Sequence, residues 1–254
     1  MGVLYDFLFI AGILFSSIYI YIFYKSKERG LSKSILIVFF ALLVFVLLES
    51  YGHIHKIKLL QRIIFLPTQG VKLALGPILL LYIQSLFLND KKVLKNGLIY
   101  LAPYILFVVL VSLPYLIAVV TQEYFVSYKN FVQQYLSIKR LICDIVFLVF
   151  IYRSFKTFNR FKQVLKCNYS YIEHNNFIWV RYLLIAPLII IFMDLFFIGY
   201  QLIFGYLEWR TISVITLMIS ISIFTELIMG LNSLKYWFHI FYWKIPLLLL
   251  QTKN

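Results

Sequence analysis

Charge is scarce in this 254-residue chain, and acid is scarcest. Ten Asp and Glu stand against 24 Lys and Arg, and only 13% of residues are charged at all. A soluble domain carries about a quarter, so a freely solvated fold is excluded. Cysteine is nearly missing: Cys143 lies in an apolar run and Cys167 in a basic loop, which excludes a disulfide scaffold. There is no G-x-S-x-G, no P-loop and no C-x-x-C, and the four histidines, His53, His55, His174 and His239, have no recognisable nucleophile partner. Nothing therefore marks an enzyme or calls for a cofactor. No Ser/Gly linker, low-complexity tract or repeat divides the chain, which reads as one domain.

What is present is apolar. Hydrophobic residues make up 63% of the chain and its mean hydropathy is +0.90, the composition of an integral membrane protein. The net charge of +14 falls in short clusters between apolar runs. The positive-inside rule and an anionic cytoplasmic leaflet account for that pattern better than nucleic acid does, so no direct specific nucleic-acid binding is expected. Asp6 precedes the first run and Lys25, Lys27 and Arg29 follow it, the reverse of a signal peptide, so the run reads as a retained first span. "MGVLYD" also fails the myristoylation pattern, with Asp6 where Ser or Thr is needed.

Seven stretches approach the 20 residues that a bilayer core needs, near 3–24, 34–50, 63–88, 97–119, 131–152, 182–204 and 211–231. The expected fold is an all-α, seven-helix transmembrane domain over 1–231, with a short cytoplasmic tail over 232–254. An outside amino terminus puts 16 Lys and Arg on the cytoplasmic side and 8 outside, which favours a cytoplasmic carboxyl terminus in a multi-pass protein of the cell membrane. Within 63–88, Pro67, Thr68, Gln69 and Gly70 suggest a broken entry, with Lys72 snorkelling outward. Gly76-Pro77 reads as a kink or packing notch.

"LALGPILLLYIQSLFLNDKK" followed by "LIYLAPYIL" resembles the central motif of the multi-pass amino-terminal region of membrane-bound AraC-type transcriptional regulators, L-G-P-x-L-x-x-Y-x-x-S-L before a basic loop and a proline-bearing helix. Leu75, Gly76, Pro77, Leu79, Tyr82, Ser85, Leu86 and Pro103 sit on that pattern. "SYIEHNNFIWVR" is similar to the family's S-x-x-E-x-x-N-L-x-W-L block at Ser170, Glu173, Asn176, Phe177, Trp179 and Val180. The departures are Tyr100, where the family commonly has His, and "GLNSLKYWFHIF", a degraded exit motif with Tyr236 in place of Gln. The resemblance implies a membrane sensor for a small-molecule or physical signal. Family members continue into a helix-turn-helix domain of about 100 residues, a domain of ordinary size, whereas 23 residues follow Leu231 here. The expectation is a sensor half whose DNA-binding domain is lost, lies beyond this stretch of chain, or is encoded separately as a DNA-binding partner. A small transporter or channel component is the alternative.

Ionisable residues at membrane depth are expensive, which singles out Asp144, Asp194 and Glu226. They either form a polar pocket for a cation, a proton or an amine-bearing ligand, or are each held neutral and hydrogen-bonded to a neighbouring helix. Glu49, His53 and His55 are only a partial metal-ligand set and read as a polar rim, so no metal site is expected. Ser170 and Glu173 form a capping box ahead of the next helix, and Trp179 and Arg181 suit the inner interface. "RSFKTFNRFKQVLK", residues 153–166, reads as an interfacial amphipathic extension of the fifth span.

Overall fold

Segments that are apolar on every side have no face to turn to water, and as helices they satisfy their own backbone. The computed structural model describes residues 2–25, 30–88, 90–120, 136–168, 178–204 and 214–226. Among them all regular structure is helical: α1 (Gly2–Lys25), α2 (Leu31–Ile54), α3 (Lys58–Thr68), α4 (Lys72–Ser85), α5 (Asp90–Phe107), α6 (Leu113–Val120), α7 (Leu136–Asn168), α8 (Ile178–Phe204) and α9 (Val214–Glu226). Among the described residues four helical stretches are long and apolar enough to cross a bilayer: Asp6–Lys25, Leu31–Ile54, Asp90–Ser112 and Val180–Tyr200.

Three of the seven expected spans take another form. The stretch 63–88 is interrupted: α3 ends at Thr68, the chain turns at Gly70 with φ +67°, and α4 restarts at Lys72. The described part of 131–152 is the start of the 33-residue α7, whose apolar portion is broken by Arg140, Asp144 and Arg153. Of 211–231, the described residues form the 13-residue α9. The tail 232–254 lies outside the described residues.

Helix α4 is the centre of the molecule. Every residue from Leu73 to Ser85 is buried, and α4 packs against α7, α5 and α2. Pro77 sits in its second turn, where the missing N–H leaves only the Leu73 carbonyl without its usual donor. Gly76 is a notch for α7: a Cβ placed there would stand 2.6 Å from Phe147 Cδ2 and 3.0 Å from Phe150 Cβ. Helix α1 packs on α2. Helix α9 joins both, through Phe15 and Phe224 with ring centroids 5.2 Å apart and through Ser50 and Thr216 with hydroxyls 3.0 Å apart. The outer faces stay apolar, with Phe7, Ile10, Leu14 and Ile18 exposed along α1 and Ile185, Ile189, Phe192 and Phe196 along α8. Such stripes need an apolar surrounding.

Local chemistry explains the irregular points. Pro114 has no N–H for the Leu110 carbonyl, and the turn before it widens into a π-helix over Val108–Ser112, with Leu113 N–H reaching Val108 O. Lys56, at φ 55°, takes the left-handed position after α2, so that Ile57 N–H bonds Gly52 O at 2.9 Å in a Schellman closure. The basic stretch 153–166 continues α7 as a helix, and its phenylalanines turn inward: Phe158 is buried and Phe161 stacks on Phe87 at 4.5 Å.

Candidate functional site

Buried charge is tolerable only when paired, so four side chains decide what the centre can do. Arg140 and Asp144 are four residues apart and share the inward face of α7 with Cys143 and Phe147. Asp194 lies on the inward stripe of α8 between Ile191 and Ile198. The turn at Gly70 starts α4 at Lys72, whose ammonium enters between α7 and α8. Lys72 Nζ donates to Asp144 Oδ1 and to Asp194 Oδ2, and Arg140 Nη2 donates to Asp194 Oδ1. The result is a chain, Arg140 to Asp194 to Lys72 to Asp144, that ties three helices and carries no net charge. It ends at Asp144 Oδ2, which is enclosed and accepts no hydrogen bond among the described residues.

This arrangement differs from the sequence expectation in two ways. Lys72 does not snorkel outward, because two enclosed carboxylates lie within its reach and leaving them without a counter-charge would cost more than turning the ammonium inward. Asp194 is bonded to two cations of the chain itself, Lys72 and Arg140, where the sequence reading offered a ligand or a neutral hydrogen bond to a neighbouring helix. Gly70 sets up the geometry. Replacing it with Ala imposes a left-handed backbone on an L residue, which costs about 1–2 kcal/mol, and puts a Cβ 2.6 Å from the Phe107 ring. Gly70→Ala is therefore expected to lower the thermal midpoint of the detergent-solubilised protein, as followed by light scattering. An unchanged midpoint would show that the turn does not constrain α4.

A cavity of about 360 Å³ opens beside the ion-pair chain. Lys72, Arg140 and Asp194 line it together with Glu49, Ser50, Thr216, Ser222 and Glu226, and the remaining lining is largely apolar, including Phe39, Leu43, Ile190 and Ile219. Glu49 accepts from Gln69 Nε2 at 3.3 Å. Glu226 Oε2 is enclosed and has no hydrogen-bond partner among the described residues.

Of the residues singled out from sequence, Asp144 and Asp194 meet through Lys72, while Glu226 borders the same cavity as Asp194 without joining the chain. Gly76, Pro77, Tyr82 and Ser85 belong to the packing of α4: Tyr82 is fully buried, and the Ser85 hydroxyl donates to Tyr82 O at 2.7 Å. Glu49, His53 and His55 go separate ways, to Gln69, Gln61 and Asp6 respectively. Among the described residues no group of three or more His, Cys, Asp or Glu could hold a metal ion. Ser170, Glu173 and Asn176 lie outside the described residues, as does the side chain of Trp179. Sequence reasoning missed Lys72 and Arg140 as site residues. The available signal was Arg140 four residues before Asp144, and a lysine opening a wholly apolar helix after Gly70. Comparison with known proteins finds no matching family model, no matching curated protein and no matching solved structure.

Proposed function

We propose that this chain is a multi-pass sensor in the cell membrane, with the cavity as its input site and the ion-pair chain as the element the signal repacks. The observation that carries this reading is the position of the chain: it fastens α4, α7 and α8 to one another and forms part of the cavity lining. A ligand that favours one packing of these helices over another would shift the population between them by its difference in affinity. The resemblance of residues 75–86 to the sensor region of AraC-type regulators supports the same reading, and points to a DNA-binding module as the output.

The proposed topology has seven spans, the third interrupted at Gly70, with the amino terminus outside and the carboxyl terminus cytoplasmic. The 16-to-8 division of Lys and Arg supports it. A further support is a basic cavity lined by Gln84, Arg153 and Lys156 with Tyr100 and Tyr152, on the side assigned to the anionic leaflet. Alkaline phosphatase fused after Asn254 should be inactive and a cytoplasmic reporter there active; the opposite result would reverse the topology. The sensor reading itself is tested by capture of the tagged chain from native membranes. It is supported if a helix-turn-helix protein is retained and Arg140→Leu changes the amount, and refuted if no such protein is retained.

Transport is the second reading, favoured by the broken α3–α4 stretch, since interrupted helices beside a cavity are a transporter feature. Saturable flux through the purified chain in liposomes would establish it over sensing.

A further inference from the structure

We infer that the cavity beside the ion-pair chain binds a small apolar molecule bearing one protonated amine, with the ammonium seated on Glu226. The inference rests on the reading of this cavity as the input site and names the chemistry it would accept.

The charges around the cavity are unequal in what remains open to a ligand. Lys72 and Arg140, the two cations in its lining, are already bonded to Asp144 and Asp194. The carboxylates of the lining outside the chain are Glu49 and Glu226. Glu49 accepts from Gln69, whereas Glu226 Oε2 is enclosed and receives no donor among the described residues. Ser222, four residues before Glu226, stands on the same face of α9. Its hydroxyl proton goes to Ile219 O at 2.8 Å, which leaves the oxygen to accept. Glu226 Oε2 and Ser222 Oγ thus offer two acceptors to an ammonium, which has three donors and no acceptor.

The alternatives fit less well. A carboxylate or phosphate ligand would meet Glu226 as a like charge, and a neutral alcohol would offer it a single donor and no charge where an ammonium offers three donors. A divalent metal lacks a set of three ligands among the described residues. The rest of the lining, Phe39, Leu43, Ile190, Ile191, Ile215 and Ile219, suits an alkyl or aryl body. A volume of about 360 Å³ is at the small end of ligand pockets, which matches a single chain or ring rather than a two-chain lipid.

The test uses the full chain purified in a neutral detergent, with radiolabelled octylamine as probe in equilibrium dialysis. Saturable binding is expected, with competition by 2-phenylethylamine and not by octanol or octanoate. Glu226→Gln should weaken it about 10- to 100-fold, the loss of one hydrogen-bonded charge pair. Ile219→Trp, which fills the cavity, should abolish it. Octylamine binding that is absent from the folded parent, unchanged in Glu226→Gln, or matched by octanol or octanoate would overturn the inference, and the competition arm decides even if neither variant folds. Octylamine binding with no effect on partner capture would refute the sensor reading and leave the amine site standing. Partner capture that responds to Ile219→Trp without any octylamine binding would do the reverse.

Discussion

Asp194→Leu is expected to destabilise the protein by about 3 kcal/mol, and adding Arg140→Leu to recover most of that loss. Asp194 accepts from both Lys72 and Arg140; without it, two cations share the single carboxylate of Asp144. Removing one partner from a buried ion pair costs about 3–5 kcal/mol. The low end applies because the Lys72 and Arg140 side chains each remain about a quarter exposed. The double variant restores neutrality with Lys72 on Asp144 and apolar groups in place of the other pair, an exchange that is often neutral. Unfolding midpoints of parent, single and double variants in the same detergent measure this. A double variant no more stable than the single one would show that charge balance is not what matters here.

The second large effect concerns glycine. Gly76→Ala should cost about 1–3 kcal/mol, the usual penalty for overpacking, because its Cβ would meet the Phe147 ring at 2.6 Å and Phe150 Cβ at 3.0 Å. Phe147 and Phe150 are themselves buried, so neither ring can swing aside freely. Gly199→Ala is the control: nothing lies within 4 Å of its added Cβ, and Ala is the better helix former by about 1 kcal/mol. Opposite signs for the two substitutions in the same unfolding assay would assign the Gly76 cost to the contact between α4 and α7. Equal effects would refute that assignment.

Much of the helical architecture was legible because it is written locally. Uninterrupted apolar runs mark α1, α2 and α8, and Pro67, Gln69 and Gly70 announce a break. What local pattern could not give was where the chain goes after the break. Lys72 was read by the rule for a lysine near the end of an apolar run, which weighs the side chain against water. Its partners lie 72 and 122 positions away, and no window of sequence contains them. Asp144 and Asp194 were visible as costly residues, but the cations that satisfy them, Lys72 and Arg140, were counted only among the eight outside charges. The π-helical turn at Val108–Ser112 was missed for a different reason. Pro114 was in plain view, and its effect depends on how the preceding turn yields, which composition does not encode.

The shortness of α4 has a mechanical consequence. Fourteen residues make a rod about 21 Å long, packed on nearly all sides and attached to α3 only through the turn at Gly70. One end holds the ammonium that joins two carboxylates. Just past the other, the Phe87 ring lies flat on Phe161 at 4.5 Å, within the basic run that ends α7. A close-packed rod does not compress. Helix α4 therefore spans the distance between a charged seat at Lys72 and an aromatic one at the Phe87–Phe161 stack, and a displacement imposed at either end would act on a stiff element.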